Sequence, residues 1–462
     1  MSLDGKAYWR GDDGYEEARQ AVFNLRKPDR YPAVVVLVES EQDVVDAVRL
    51  ARERGLRVKA RAGGHSWTAS SVRDGGMLID LSGFYEVSVD PEARTATVTP
   101  SVRAAELQDE LRDHGLFFPT AHSPSVGLGG FLLQGGFSWI GARIGPSCSR
   151  VHAIDVVTAD GDLIRADESQ NTDFLWAARG AGPGFFGVVT RFHLTVGPRP
   201  RAILASGYVY PMEVLDDVLR WSLEISPSLS PSLELAIFGT NPRLPGGGVD
   251  SEPALVVGST AMADSKEEAT RALQALETCP VVDRAQVRQV AFPTTLADLY
   301  AMADDIEPPG WRYAVDNMWT DAGADELIPQ VRELFLELPT PLSHVFWNPW
   351  QVQPVQNAAF SMQGKLYIGV YAVWEDEAQD AELQDWVTGQ MRRLEPLSKG
   401  IQLADENLVN RPWPYLSGEN ARRLEELRAK HDPDGVFDSY LIAATCPGAK
   451  ASRTDDVAGR GN

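Results

Sequence analysis

The chain has 462 residues, of which 44% are hydrophobic and 23% are charged, as in an ordinary globular protein. A single core rarely serves so long a chain, so we expect at least two domains. The net charge of −22 argues against nucleic acid or an anionic membrane surface as the main partner, and no apolar run approaches the roughly 20 residues of a membrane span.

The cysteines and the first residues favour a reducing compartment. Cys148, Cys279 and Cys446 are odd in number and lack the spacing of metal ligands, so we predict no metal site. The beginning of the chain lacks the basic start and apolar stretch of a signal peptide. We therefore expect a cytoplasmic location.

The first predicted elements are a strand, a helix and a second strand within residues 33–60. Residues 33–38 form a short apolar run that suits a buried strand. Ser40 is a suitable N-terminal cap for the helix, and Gly55 is a suitable end. The segment Gly63-Gly64-His65 therefore follows the end of a strand, where ligand sites often lie.

A second glycine-rich run, residues 123–130, follows a predicted helix at residues 103–114. Glycine lets the backbone approach a ligand closely, so the paired runs predict a large cofactor that carries phosphate. Residues 154–164 are typical of a β-hairpin, and residues 187–194 are typical of a strand. Two prolines then indicate a domain boundary near residue 200.

Glycine loops become rare after this boundary, and helical and strand-like stretches are mixed. The mixture predicts an α+β layer in which helices back an antiparallel sheet. The predicted helices cover residues 213–224, 265–277 and 325–336, and the predicted strands cover residues 233–238, 254–258 and 366–374. Residues 448–462 are mostly small and polar, and we expect them to form a flexible tail.

Four stretches of the chain carry a family resemblance by their order and spacing. They are Arg61-Ala62-Gly63-Gly64-His65-Ser66, Pro124-Ser125-Val126-Gly127-Leu128-Gly129-Gly130, the region 173–190, and the C-terminal stretches 420–424 and 432–437. Together they resemble the berberine bridge enzyme-like FAD-linked oxidases of the vanillyl-alcohol oxidase/PCMH flavoprotein superfamily. The resemblance is strongest over residues 20–200 and weak in the middle of the chain.

This resemblance implies an α+β protein of three parts and a tail. Residues 1–200 are expected to form a PCMH-type FAD-binding domain with two subdomains. Residues 201–404 are expected to form a substrate-binding domain, an antiparallel sheet backed by helices. Residues 405–447 are expected to form a C-terminal segment that returns to the FAD domain.

By the same resemblance, His65 is expected to form a covalent bond from its ring to the 8α-methyl group of FAD. Many family members form a second bond through a cysteine, but Ser123 takes that position here, so we predict attachment through His65 only. Backbone amides of residues 63–66 and 127–130 are expected to cradle the pyrophosphate. The other expected FAD-binding residues are Arg61, Ala62, Gly63, Gly64, Ser66, Ser123, Val126, Gly127, Gly129, Gly130, Gly187 and Val189.

Val126 occupies the family position called the oxygen gatekeeper. A small residue there leaves room for O2 beside the flavin, so the resemblance implies an oxidase that releases hydrogen peroxide. A dehydrogenase of the same fold, which passes electrons to another acceptor, is the alternative.

The residues that bind the substrate and accept its proton are predicted from weaker sequence patterns. Family bases come from the substrate domain or the C-terminal segment, and Tyr415 is the first candidate, ahead of Asp405 and Glu406. Asn407 and Asn410 are expected to hydrogen-bond a polar substrate. Tyr367 and Tyr371 share one face of a predicted strand, where they could stack on a sugar or an aromatic substrate.

Three departures from the family pattern leave the substrate open. Phe131 replaces a histidine that often follows the second glycine loop, and residues 358–363 lack a basic pair. The family's C-terminal Tyr-x-Asn-Tyr pattern is missing or compressed. The donor is therefore an alcohol, a sugar or another small metabolite, with amine oxidation or ring closure as an alternative. A flavin-binding protein without catalysis is a further alternative, and the sequence leaves the oligomeric state open.

Overall fold

The structure is a computed structural model that describes Leu3, residues 6–242 and residues 252–439. The predicted tail at residues 448–462 and the end of the predicted C-terminal segment lie outside the described residues, as does Cys446. No helix of these described ranges is both long and apolar enough to cross a membrane.

The elements predicted from the sequence are all present, with ends shifted by a few residues; the strand predicted at residues 254–258 extends to Ala263. The strands are β1 (Ala7–Trp9), β2 (Val34–Leu37), β3 (Val58–Arg61), β4 (Met77–Asp80), β5 (Val87–Asp90), β6 (Thr95–Val98), β7 (Leu116–Phe117), β8 (Val151–Val157), β9 (Leu163–Asp167), β10 (Val188–Thr195), β11 (Gly197–Pro198), β12 (Ala202–Pro211), β13 (Leu233–Thr240), β14 (Ala254–Ala263), β15 (Val287–Pro293), β16 (Arg312–Thr320), β17 (His344–Pro349) and β18 (Leu366–Trp374). The α-helices are α1 (Tyr15–Arg19), α2 (Glu41–Glu53), α3 (Ala104–Arg112), α4 (Leu128–Leu133), α5 (Gly141–Ile144), α6 (Thr172–Ala178), α7 (Leu215–Ile225), α8 (Lys266–Leu273), α9 (Leu296–Ile306), α10 (Ala324–Leu336), α11 (Asp380–Leu394) and α12 (Gly418–His431).

A small sheet with the strand order β1-β2-β4-β3 holds the first glycine loop at the end of β3. Strands β2, β4 and β3 are parallel, and β1 is antiparallel to β2. The connection from β2 to β3 is α2, whose cap is the predicted one: the Ser40 hydroxyl accepts a hydrogen bond from the amide of Asp43. Val44, Val48 and Ala51 are buried on the face of α2 that packs against the sheet.

A second sheet, with the order β5-β6-β10-β8-β9, is antiparallel throughout. It shares a hydrophobic core with the first sheet, because Val157 and Val188 pack among the buried valines of β2 and α2. Helices α3, α4, α6 and α12 cover the rest of the second sheet. The two sheets therefore form one continuous unit.

The third large sheet contains seven antiparallel strands in the order β15-β12-β14-β13-β17-β18-β16. Side chains alternate between its two faces. On β13, Leu235 and Ile237 pack under helices α7, α8, α10 and α11, whereas Glu234, Ala236 and Phe238 face a cavity. This arrangement is the predicted antiparallel sheet backed by helices, and the α+β fold class is confirmed.

The chain returns to the first sheet after α12. Residues 421, 424 and 427 on this helix are buried in the core of the second sheet. The amide of Val58 then donates a hydrogen bond of 2.7 Å to the carbonyl of Val436, and Val58 forms a parallel bridge with Phe437. The described end of the chain therefore lies beside β3, close to the first glycine loop.

Candidate active site

One large cavity lies between the seven-stranded sheet and the two smaller sheets. Its volume is about 560 Å³, within the range of roughly 300–1,000 Å³ that is usual for ligand pockets. One end is lined by the glycine loops and by β10, and the other end is lined by the open face of the seven-stranded sheet. We call these the loop end and the sheet end.

The two glycine loops pack directly against each other at the loop end. A Cβ atom on Gly63 would lie 2.7 Å from the backbone nitrogen of Gly127, and one on Gly127 would lie 2.8 Å from that of Gly63. A Cβ atom on Gly129 would lie 2.9 Å from the Cβ of Ala62. These distances are too short for real carbon contacts, so the glycines are required by the close packing of the loops.

We expect Gly63→Ala to lower the free energy of unfolding by about 1–3 kcal/mol, because the added methyl group must push two backbones apart. Urea titration followed by protein fluorescence measures this change. Gly389→Ala is the matched control, because a Cβ atom at this position in α11 meets no atom within 4 Å. Equal stability of the Gly63→Ala variant and the natural protein would contradict the packing described here.

Backbone amides of the first loop face the cavity without a partner. Those of residues 63–67 donate no hydrogen bond to any residue that the structure describes, and all five residues line the cavity. Such a run of free amides suits a pyrophosphate. We expected the amides of residues 127–130 to bind the pyrophosphate as well. The amide of Gly129, however, already donates to the carbonyl of Pro100 at 2.9 Å.

Arg61 fixes the start of the first loop. Its guanidinium is buried, pairs with Asp80 at 2.5 Å and donates to the carbonyl oxygens of Ala18 and Arg19. Because the guanidinium is bound to these protein groups, Arg61 stabilises the first loop through contacts within the protein. It lines the cavity beside Ala62.

His65 is held rigidly on the cavity wall. Its ring stacks on Phe23 with 4.1 Å between the ring centres, and its Nε2 shares a hydrogen bond of 2.8 Å with Ser125 Oγ. Ser123 Oγ lies 3.3 Å from Ser125 Oγ, so the three polar groups form a chain. Burial, with a smaller contribution from the charge of Arg103, lowers the pKa of His65 to about 4. The imidazole is therefore neutral at pH 7 and keeps a lone pair.

The far part of the loop end is apolar and contains one lysine. Gly187 and Val189 line it, together with Phe185 and Phe437. Lys59 Nζ donates to the backbone carbonyls of Pro183 at 2.8 Å and Asp438 at 2.6 Å, and burial lowers its pKa to about 7. A flat, apolar ring such as adenine fits these walls.

At the sheet end, Asp405 is the centre of a hydrogen-bond cluster. The Tyr367 hydroxyl donates to one of its carboxylate oxygens, and Trp67 Nε1 donates to the other at 2.8 Å. Burial raises the pKa of Asp405 above its ordinary value, although these donors oppose the shift. Burial also raises the pKa of Tyr367 and Tyr371 well above 10. The carboxylate is therefore the better proton acceptor of the group.

Four further polar side chains line the sheet end. His122 Nε2 and Glu234 form a pair at 3.0 Å; burial disfavours the cation, but the carboxylate more than compensates and raises the pKa of His122. Burial and the nearby charge of Asp405 raise the pKa of Glu307 to about 8. His344 stacks on Tyr371 with 4.5 Å between ring centres.

The structure places Tyr415, Asn407 and Asn410 away from the cavity. Tyr415 is 3% exposed and packs in the hydrophobic core of the second sheet. The Asn407 amide donates to Asp316 at 2.9 Å, and the Asn410 amide donates to Asn407 at 2.7 Å. These contacts hold the C-terminal segment in place, so we no longer assign the three residues to base or substrate.

Glu406 also lies off the cavity wall. It accepts hydrogen bonds from Thr68 and from the amide of Leu408, and burial raises its pKa to about 7. Its neighbour Asp405 points the other way, into the cavity. Of the two acidic candidates, only Asp405 therefore reaches the site.

Comparison with known proteins agrees with this geometry. A family model described as FAD binding domain matches residues 32–167. FAD-linked oxidoreductase nodO of Hypoxylon pulicicidum is 33% identical over 437 residues, which cover 93% of this chain and 95% of that protein.

Two solved structures share the fold at low sequence identity. 6-Hydroxy-D-nicotine oxidase from Arthrobacter nicotinovorans has a TM-score of 0.81 at 20% identity, over 95% of this chain and 98% of the other. BBE-like 1 from Physcomitrella patens has a TM-score of 0.78 at 19% identity, over the same shares of the two chains, 95% and 98%. The relatives and the fold lead to one conclusion: the chain belongs to the family of FAD-linked oxidoreductases, and it has the fold of the BBE-like flavoproteins.

Proposed function

We propose that this protein is an oxidase that holds FAD covalently through His65 and oxidises a C–H bond next to oxygen or nitrogen in a small organic substrate. The observation that carries the proposal is that one cavity joins His65 and the free amides of its loop to the Asp405–Tyr367 pair. A cofactor-holding wall and a proton acceptor therefore face the same space.

The residues of the loop end fit FAD in three respects. Free amides of residues 63–67 suit the pyrophosphate, the apolar walls near Val189 suit the adenine, and His65 lines the same cavity within the run of free amides. When bound, the flavin supplies hydride acceptance, and the protein supplies orientation and proton transfer. Gly187 contributes by packing, since a Cβ atom there would lie 2.6 Å from Val156.

The state of His65 supports covalent attachment. A neutral imidazole has the lone pair that a bond to carbon requires, and the stacking on Phe23 restricts the ring to one orientation. Ser123 lies two hydrogen bonds away from the ring, and its hydroxyl is a much weaker nucleophile than a cysteine thiolate. We therefore infer that FAD is attached through His65 alone, because Ser123 is a poor second nucleophile.

We expect Ser125→Ala to slow covalent attachment by roughly fivefold to tenfold, the effect of losing one neutral hydrogen bond of about 1 kcal/mol. The Ser125 hydroxyl holds His65 Nε2 and so selects the orientation of the other ring nitrogen. Apoprotein is incubated with FAD, and acid-precipitated colour is followed over time. Ser149→Ala, which alters an exposed serine away from the cavity, is the control and should attach at the natural rate; equal rates for both variants would contradict the role of Ser125.

Asp405 is the residue that we assign to proton acceptance. It lines the cavity, and two donors fix both of its oxygens. A substrate O–H or N–H group that displaces or joins these donors can pass its proton to the carboxylate as the C–H bond breaks. Tyr367 and Trp67 are positioning residues, because they orient Asp405.

Val126 supports the use of oxygen as electron acceptor. It lines the cavity between Ser123 and Gly127, and its small side chain leaves space for O2 in the way that the family resemblance implies. A dehydrogenase that uses another acceptor is the alternative. Peroxide formation under air, measured against reduction of a quinone dye, separates the two.

The decisive experiment has two steps on the purified protein. Acid precipitation should leave the yellow colour in the pellet, and release of all colour to the supernatant would exclude covalent attachment. A panel of alcohols, sugars and amines is then added without oxygen. Bleaching of the flavin by one class identifies a substrate and excludes a flavin-binding protein without catalysis.

A further inference from the structure

Acidic side chains dominate the sheet end of the cavity. Glu234, Glu307 and Asp405 all line it. Among the lining residues of the described ranges, the lysine and arginine are Lys59 and Arg61, and both belong to the loop end. Two histidines line the same end, His122, which is already paired with Glu234, and His344.

Glu307 follows α9 and is the one of the three carboxyls that has no side-chain partner among the described residues. It makes no side-chain hydrogen bond and no ion pair with any residue in the described parts of the chain. The titratable groups around it are Asp304, Asp405 and Tyr371, none of which carries positive charge. An uncompensated carboxylate in such surroundings is costly, and a bound cation would remove that cost.

His344 adds an unpartnered acceptor to the same wall. The residue is 2% exposed, and its Nε2 atom has no hydrogen-bond partner among the described residues. Its Nδ1 atom lies 3.4 Å from the carbonyl of Leu342, an acceptor, so Nδ1 carries the proton and Nε2 presents a lone pair. Burial lowers the pKa of His344 to about 4, so the ring stays neutral.

Aromatic rings also line the sheet end. Phe238 and Phe346 stack with 4.8 Å between their centres. The faces of such rings attract organic cations, most strongly where water is excluded. Other aromatic residues that line the cavity include Trp67, Trp139, Trp319, Trp350, Tyr367 and Tyr371.

We propose that the sheet end selects an organic cation, an amine in its protonated or quaternary form carried on an apolar or aromatic body, over neutral alcohols, sugars and carboxylates. Glu307 is its counterion, and the aromatic walls enclose its apolar part. The inference rests on the proposed function in one respect: FAD fills the loop end and leaves the sheet end for substrate.

The binding test uses three aromatic probes of similar size on the yellow holoenzyme. Benzyltrimethylammonium is a permanent cation, neopentylbenzene is its neutral isostere, and phenylacetate is an anion. Binding is followed by quenching of tryptophan fluorescence and by the shift of the flavin absorbance. We expect the cation to bind on the order of tenfold more tightly than its isostere, and the anion to bind most weakly. Equal binding of cation and isostere, or tighter binding of the anion, overturns the proposal.

A pair of variants assigns the selectivity to Glu307. Glu307→Gln should remove most of the preference for the cation and leave the affinity for neopentylbenzene unchanged. Glu337→Gln, which alters an exposed carboxyl next to α10, should keep the full preference. An unchanged preference in Glu307→Gln overturns the assignment.

The pH dependence supplies a second readout. Glu307 is protonated below its pKa of about 8 and becomes anionic above it, so the affinity for the permanent cation should rise as pH increases from 6.5 to 8.5. The Glu307→Gln variant should lose this rise. A cation affinity that falls with pH in the natural protein contradicts the proposal.

The outcomes separate this inference from the proposed oxidase. Benzyltrimethylammonium has no nitrogen lone pair and is no hydride donor, so its binding does not depend on turnover. Cation selectivity in a protein whose flavin is bleached by no alcohol, sugar or amine supports the cation site and rejects the oxidase. Bleaching by neutral alcohols or sugars, without cation selectivity, supports the oxidase and rejects the cation site.

Discussion

Replacing His65 with alanine is expected to move the flavin colour from the acid-precipitated protein to the supernatant. The imidazole is the group that we assign to the covalent bond, and Ser123 cannot replace it because a serine hydroxyl stays protonated and is a poor nucleophile. Noncovalent FAD should still bind before denaturation, because the free amides of the first loop are unchanged. Absorbance of pellet and supernatant at the flavin maximum measures the effect.

Two comparisons make this expectation decisive. His114→Ala alters an exposed histidine after α3 and should leave all of the colour in the pellet. Peptide mapping of the natural protein should find the flavin on the peptide that contains residue 65. Retained colour in the His65→Ala variant would show that another residue forms the bond.

Replacing Asp405 with asparagine is expected to lower kcat by roughly 10²–10⁴-fold, the usual contribution of general base catalysis. The amide has nearly the same shape as the carboxylate and still accepts hydrogen bonds, but it cannot take a proton. Flavin content should be unchanged, because Asp405 belongs to the sheet end. Rapid-mixing measurement of flavin reduction without oxygen isolates this step from reoxidation.

The pH profile tests the same assignment independently. Burial raises the pKa of Asp405, and the residue must be ionised to accept a proton, so kcat/KM should fall as pH decreases through that raised pKa. The acidic limb should therefore lie above the ordinary aspartate range near 3.9 and should be absent in the Asp405→Asn variant. If the acidic limb is unchanged in the Asp405→Asn variant, the ionisation of another group causes it.

Tyr415→Phe and Asp283→Asn are the controls for the Asp405 variant. Tyr415 is buried in the core of the second sheet, and Asp283 is exposed, so neither change reaches the cavity. Both variants should reduce their flavin at the natural rate. A large loss of rate in Tyr415→Phe at full flavin content would return Tyr415 to consideration as the base.

The loop end of the site could be predicted because its signals are local. Gly63, Gly127 and His65 lie in short segments whose composition is unusual, and each segment follows a strand or opens a helix. The mutual packing of Gly63 and Gly127 then explains why both segments are glycine-rich. Alternation along β18 was also enough to place Tyr367 and Tyr371 on one face.

The sheet end could not be predicted in the same way. Glu234 and His344 lie in strands, and Glu307 follows a helix, so each of them looks like any other polar residue in its local sequence. Alternation divides a strand into two faces but does not say which face borders a cavity. Strands β15, β16 and β17 were also not predicted, because their polar and apolar residues lack a clear period. Helix α9 was not predicted either, although Leu296, Leu299 and Tyr300 recur at helical spacing.

The C-terminal segment shows most clearly how the prediction from the sequence differs from what the folded structure decides. Its residues 405–415 have no regular period, so the sequence alone could not say whether Asp405 or Tyr415 reaches the cavity. The segment crosses from the cavity wall at Asp405 into the core at Tyr415, because Asn407 and Arg411 are bound to the buried Asp316. Asp316 lies about 90 residues earlier in the chain, and only folding brings it next to this segment.

By itself the sequence determined the α+β class, the two glycine loops, the histidine beside them and the family of FAD-linked oxidoreductases. These features depend on residue types within short segments, where glycine and histidine indicate a structure without reference to distant residues. Only the tertiary structure decided that Asp405 and not Glu406 lines the cavity, that Glu307 has no counterion among the described residues, and that the sheet end is acidic and aromatic. Those properties arise from the packing of strands far apart in the chain, and no local pattern of residues encodes them.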